Sequence, residues 1–124
     1  MKHDIAVIGL GYVGLTFAIA LADVGFDVLG VEKRPEVVDL TNSGVPHFAE
    51  HGLEGVMKHV LAEGKMRAAT SLSSDVHAGI YVITVGTPLK DGHFNLDFIL
   101  CFAIEHVVFL NIIGRDHITS LIHL

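Results

Sequence analysis

From Ile5 to Ala22 the chain runs 18 residues without a charge, and Gly9, Gly11 and Gly14 stand inside that run. The combination leaves few folds open. An apolar stretch of this length approaches a short membrane span, and Ala18-Ile19-Ala20, downstream of Lys2, resembles a signal-peptide cleavage site. Three glycines within six residues weaken a membrane helix. They are what a buried strand needs when it turns sharply into a buried helix around a phosphate. Asp4 to Ile8 has Ile and Val without polar alternation, as expected of a strand covered on both faces. A helix is expected from Tyr12 to Val24, with Gly25 as its C-terminal cap.

Beyond this unit, short apolar runs alternate with helical patterns, which predicts an α/β domain with a parallel sheet. Phe26 to Val31 reads as the second strand. A second helix has Pro35 in its first turn and Gly44 after its end. A third spans Leu53 to Glu63, with Leu53, Val56, Met57, Val60 and Leu61 on one face. Met66 to Ala69 is a short strand, and Ser73 or Ser74 is placed to cap a brief helix through Ala78. Ile80 to Val85 is a strand expected beside the first one. The loop Gly86 to Asn95 leads to a helix over Leu96 to Leu110, and Ile118 to Leu124 begins a fifth strand. The expected fold is a Rossmann-type doubly wound parallel sheet, truncated near that fifth strand. Residues 1–124 then form one nucleotide-binding domain, itself incomplete, since six strands would need more sequence.

Composition narrows the function. The chain is 51% hydrophobic and 18% charged, with a mean hydropathy of +0.56, which excludes intrinsic disorder. Eight basic against fourteen acidic residues give a net charge of −6, so no phosphate-tracking nucleic-acid surface is expected. The single cysteine, Cys101, excludes a disulfide framework and fits a reducing compartment such as the cytoplasm.

Gly9-Leu10-Gly11-Tyr12-Val13-Gly14 follows a predicted strand, opens a predicted helix and has an acid at the end of the next strand. That context turns a common glycine pattern into a dinucleotide fingerprint. Gly9 permits the tight turn, Gly11 lets the backbone approach a pyrophosphate, and Gly14 lets the helix lie close to the sheet. The helix beginning near Tyr12 offers unpaired N–H groups and a positive dipole end. A P-loop is excluded, because Leu15 and Thr16 stand where Lys and Ser/Thr would follow. Glu32, 18 residues beyond Gly14, can accept both adenosine ribose hydroxyls. It would repel a 2′-phosphate by about 4 kcal/mol per charge pair at 4 Å and an effective dielectric near 20, before screening. NAD is therefore expected over NADP, although Lys33 and Arg34 could still receive a 2′-phosphate.

Four stretches together resemble the UDP-glucose/GDP-mannose 6-dehydrogenases, and within them the UDP-N-acetylglucosamine or UDP-N-acetylmannosamine branch. They are Ile5 to Leu15, Phe26 to Glu32, Ala49 to Glu54, and Ile83 to Asp97 with its Val85-Gly86-Thr87-Pro88 turn. The resemblance implies two successive NAD-dependent oxidations of a sugar-nucleotide C6 hydroxyl to a carboxylate, as used in polysaccharide biosynthesis. It implies that Gly9, Gly11, Tyr12, Val13 and Gly14 hold the pyrophosphate, Glu32 with Lys33 the ribose end, and Val85, Gly86 and Thr87 the nicotinamide side. The chain departs from the family at Glu50-His51-Gly52, where Glu-Pro-Gly is usual, and at Val37, where a basic residue is common. After Asp116 it reads His117 to Leu124 in place of a Ser-Thr-Val-Pro turn. The resemblance thus implies that the catalytic and nucleotide-sugar-binding domains are absent, that no catalytic residue lies here and that the fragment alone is inactive. Nucleotide-sugar substrate is a partner only of the full-length enzyme. The alternative is a stand-alone regulatory module that senses a dinucleotide without chemistry.

Other features tempt less. Cys101 sits between Leu100 and Phe102 in a predicted helix and reads as structural. His47 and His51 are four apart but lack the HExxH order and a third ligand, so no metal is expected. Asp91-Gly92 reads as a turn and Asp97 as a helix-start acid. The helix Leu96 to Leu110 is apolar almost all round, which predicts an association surface and a homo-oligomer. No membrane partner is expected.

Overall fold

The computed structural model describes residues 2–86 and the two short strands Leu89–Lys90 and His93–Phe94. In chain order these form β1 (Lys2–Ile8), α1 (Tyr12–Asp23), β2 (Val28–Val31), α2 (Pro35–Asn42), α3 (Leu53–Ala62), β3 (Met66–Ala69), β4 (His77–Ile83), β5 (Leu89–Lys90) and β6 (His93–Phe94). Strands β3-β2-β1-β4 make one sheet in that order. All three of its pairings are parallel. The chain therefore steps outward from β1 to β2 to β3 and then returns to the other side of β1. That reversal puts a switch point between β1 and β4, at the carboxyl ends of the strands.

Side-chain alternation along β1 explains why both faces of the sheet are covered. Ile5 and Val7 enter a core with Leu15, Ala18, Ile19 and Ala22 of α1 and Met57 and Val60 of α3. Ala6 and Ile8 face the opposite side with Leu29, Val31, Tyr81 and Ile83. A continuous apolar run is what two covered faces demand. The outer edge at β3 is partly closed by Asn42, whose amide donates to the Ala68 carbonyl at 3.0 Å and accepts from its N–H at 2.8 Å.

Three expectations about the elements are corrected. No helix runs from Ser73 to Ala78. The Val76 N–H donates to the Ser73 carbonyl at 3.0 Å in a turn, and β4 already begins at His77. Its partner explains the early start, because β4 pairs with β1 from Lys2↔His77 to Ile8↔Ile83, the whole length of that strand. Strand β2 starts at Val28 and not at Phe26, because the Phe26 N–H closes the end of α1 on the Leu21 carbonyl. The segment read as a loop after Gly86 contains an antiparallel pair, Leu89↔Phe94 and Lys90↔His93. The helix Leu96 to Leu110, the strand Ile118 to Leu124, Cys101, Asp91, Asp97 and Thr87 lie outside the described residues. Among the described residues no helix is long and apolar enough to cross a membrane.

Candidate functional site

Strand β1 ends at Ile8, and the chain turns at Gly9 with φ +92°. A Cβ there would come within 2.9 Å of the Thr84 carbonyl oxygen and 3.0 Å of Val85 Cγ1, so the position is closed by space as well as by torsion. At Gly14 a Cβ would overlap the Gly9 carbonyl oxygen and Thr84 Oγ1. The first turn of α1 can therefore press against the bend only because that side chain is missing. Gly11, the N-cap, is different: nothing stands within 4 Å of its Cβ position. The helix start has no side-chain cap and no acid in its first turn. Its first N–H groups thus keep their hydrogen-bonding capacity for an anion.

Glu32 follows β2 and is only 6% exposed. Its Oε2 accepts from the Leu10 N–H at 3.1 Å, so the carboxylate lies against the glycine bend. Arg34 supplies three more donors. Its backbone N–H and Nε reach Oε1 at 3.1 and 3.2 Å, and Nη2 reaches Oε2 at 3.1 Å. Burial pushes the Glu32 carboxyl upward, but the Arg34 hydrogen bonds, the Leu10 N–H and the Arg34 charge outweigh it and hold the group below its usual range. Glu32 is thus an ionised, fully engaged acceptor. Lys33 is exposed, and Arg34 is the basic residue that meets the acid.

Across the switch point, Val85 is half-buried against the bend and Gly86 is exposed. Thr84, which sequence reasoning passed over, joins the two sides. Its hydroxyl donates to the Gly9 carbonyl at 2.7 Å and its N–H to the Ile8 carbonyl at 2.8 Å. Its position, immediately before Val85-Gly86-Thr87, was the only available signal.

The 43–52 segment between α2 and α3 approaches from another side. The exposed Tyr12 donates to Glu50 Oε2 at 2.5 Å, and that bond to a carboxylate, helped by its charge, raises the phenol above its ordinary value. The Tyr12 ring lies 4.9 Å from that of Phe48 at 49°, and Phe48 meets the His47 ring edge-on at 4.9 Å. Among the described residues no three His, Cys, Asp or Glu converge on a point that could hold a metal ion. His3, in β1, is the other histidine with well-defined surroundings. It is 4% exposed, with Nδ1 2.9 Å from Asp27 Oδ1 and Nε2 3.3 Å from Arg67 Nη2, at the opposite end of the sheet.

A switch point flanked by a glycine turn, an uncapped helix N-terminus and an acid closing the second strand defines a dinucleotide-binding Rossmann domain. Residues 3–112 match the UDP-glucose/GDP-mannose dehydrogenase family, NAD binding domain, and the chain belongs to that family. It is 38% identical over 95 residues to the UDP-N-acetyl-D-mannosamine dehydrogenase of Pyrococcus horikoshii, covering 77% of this chain and 23% of that protein. It is 39% identical over 108 residues to the GDP-mannose 6-dehydrogenase of Pseudomonas syringae pv. tomato, covering 84% of this chain and 25% of that one. A ternary complex of GDP-mannose dehydrogenase from Pseudomonas aeruginosa superposes with a TM-score of 0.74 at 30% identity, over 89% of this chain and 28% of that structure. The chain spans about a quarter of the length of the curated relatives it matches. It is an NAD-binding domain of the nucleotide-sugar dehydrogenase type.

Proposed function

We propose that this domain serves an enzyme that oxidises the C6 hydroxyl of a nucleotide sugar to a carboxylate in two NAD-dependent steps. The observation that carries the reading is the Leu10 N–H on Glu32 Oε2 at 3.1 Å, which sets the acid beside the uncapped start of α1. The residues present fit the cofactor. Backbone N–H groups around Gly9, Gly11, Tyr12, Val13 and Gly14 would hold the pyrophosphate. Glu32, with Lys33 and Arg34 beside it, would receive the adenosine ribose. Val85, Gly86 and Thr87 would line the nicotinamide side, beyond the carboxyl end of β4. When bound, NAD supplies the hydride acceptor. This chain's part is to orient that acceptor, while the groups that touch the sugar belong to other parts of the enzyme. The UDP-sugar specificity, the homo-oligomer and a cytoplasmic setting belong to the same proposal. Kinship with nucleotide-sugar dehydrogenases weighs against a purely regulatory sensor.

Calorimetric titration tests it. NAD and ADP-ribose are expected to bind with similar affinity, since the contacts sit on the adenosine and pyrophosphate. Glu32→Gln is expected to weaken both by about tenfold to a hundredfold, the range of one or two charge-assisted hydrogen bonds. Unchanged affinity in that variant overturns the assignment of the acid, and turnover of a nucleotide sugar by this chain alone overturns the division of labour.

A further inference from the structure

His47 stands apart from the other histidines. Its ring is packed edge-on to Phe48, and Phe48 in turn lies on Tyr12, the first residue of α1. The Tyr12–Glu50 hydrogen bond pins the same segment three residues further on. Held this way, Nδ1 of His47 is shut away from solvent and has no hydrogen-bond partner among the described residues. Buried ring nitrogens are nearly always paired, so an unpaired one calls for a missing partner. Burial and then the Arg34 charge hold this imidazole below its ordinary range, with Glu32 pulling the other way. At neutral pH the ring is therefore uncharged, with one N–H and one acceptor nitrogen. Through Phe48 the ring reaches Tyr12, in the same glycine turn whose Leu10 N–H holds Glu32, so His47 and the Glu32–Arg34 pair flank one bend of the chain.

That pair has little room left. Four N–H groups, one from Leu10 and three from Arg34, already lie on the two Glu32 oxygens. A carboxylate has about four acceptor directions, so a ribose diol arriving at Glu32 must displace part of the Arg34 fork or find another partner. We propose that His47 is that partner: a positioning residue for the adenosine end of the dinucleotide, whose Nδ1 pairs with one hydroxyl of the ribose that Glu32 receives. A hydroxyl suits a neutral imidazole, because it can donate or accept according to the tautomer. This rests on the cofactor-site reading above.

The experiment compares NAD with its 2′-deoxyadenosine and 3′-deoxyadenosine analogues, titrated into wild type, His47→Phe and His47→Asn. Asn keeps a polar atom near the Nδ1 position, whereas Phe removes it. His47→Phe is expected to weaken NAD about tenfold, the scale of one hydrogen bond, while weakening one of the two deoxy analogues less than about twofold. His47→Asn is expected to recover NAD binding to within about threefold. Equal weakening of all three ligands by His47→Phe means a merely structural role and overturns the proposal, as does no weakening at all. Nitrogen NMR of the wild-type histidines gives a reading free of any folding defect. The His47 Nδ1 resonance is expected to move with NAD and to stay in place with the analogue that lacks its partner hydroxyl, and a resonance unmoved by NAD overturns the proposal. Glu32→Gln separates the two claims. If NAD affinity ignores that change, the cofactor-site reading fails and takes this one with it; if Glu32 matters and His47 does not, only this one fails.

Discussion

The two ends of the parallel sheet each bury an ionisable side chain, and they treat it in opposite ways. At the amino end, His3 is enclosed between Asp27 and Arg67, and the Asp27 N–H closes onto Asp4 Oδ2 at 2.8 Å. Both ring nitrogens of His3 are engaged, in the tautomer with its proton on Nδ1. At the carboxyl end, Glu32 is equally buried, but its surroundings are incomplete: a helix start without a cap, an exposed Tyr12 and Val13, and an imidazole nitrogen with no partner. A polar cluster that closes on itself supports the fold. One that leaves a helix start uncapped and a ring nitrogen unpaired keeps hydrogen-bonding capacity that the fold itself does not use.

Four substitutions or conditions would break or sharpen that contrast, the largest first. Gly14→Val drives a side chain into the Gly9 carbonyl and Thr84. It is expected to cost about 3 kcal/mol of stability in urea unfolding, the upper part of the overpacking range, and to abolish NAD binding. His3→Leu leaves Asp27 and Arg67 without their bridge and is expected to cost about 1–2 kcal/mol while leaving NAD affinity unchanged. A loss of affinity there would erase the distinction between the two ends. Gly11→Ala meets open space and needs no unusual torsion, with φ −71° in the wild type. Stability is expected to stay within about 0.5 kcal/mol, whereas NAD binds about tenfold more weakly because a methyl group enters the pyrophosphate path.

The smallest effect is in pH. The Glu32 carboxyl lies below its reference value of 4.5 in the folded chain. Its contribution is complete above that value and is lost as the pH falls through the lower folded one. Between about pH 5 and pH 3, wild type is therefore expected to lose more stability than Glu32→Gln, as measured by chemical unfolding at each pH. Equal losses would mean that the Arg34 fork does not hold the acid in solution.

Much of this was legible before any coordinates, for reasons that can be named. The β1–turn–α1 unit shows in the sequence because glycine spacing is dictated by local contacts: Gly9 by its torsion, Gly14 by the carbonyl beneath it. Glu32 was legible because a strand end fixes a side chain's place along the crevice. What escaped depends on partners distant in the chain. The start of β4 at His77 is set by the length of β1, some seventy residues earlier, and not by any run of β-formers. Thr84 looks like an ordinary strand residue until its hydroxyl is seen on Gly9. Arg34 was weighed as a phosphate ligand, and only its side-chain rotamer reveals that it neutralises Glu32. His3, one of nine histidines, became distinctive only once Asp27 and Arg67 stood on either side of it.

The Thr84 hydroxyl on the Gly9 carbonyl rivets the floor of the crevice along its length, with the Thr84 N–H as a second fastening on Ile8. The opposite wall meets the start of α1 through an exposed phenol–carboxylate bond and a ring contact, the latter worth about 0.5–1.5 kcal/mol. If a dinucleotide enters this crevice, the wall is the side expected to give way and the floor the side expected to keep its shape.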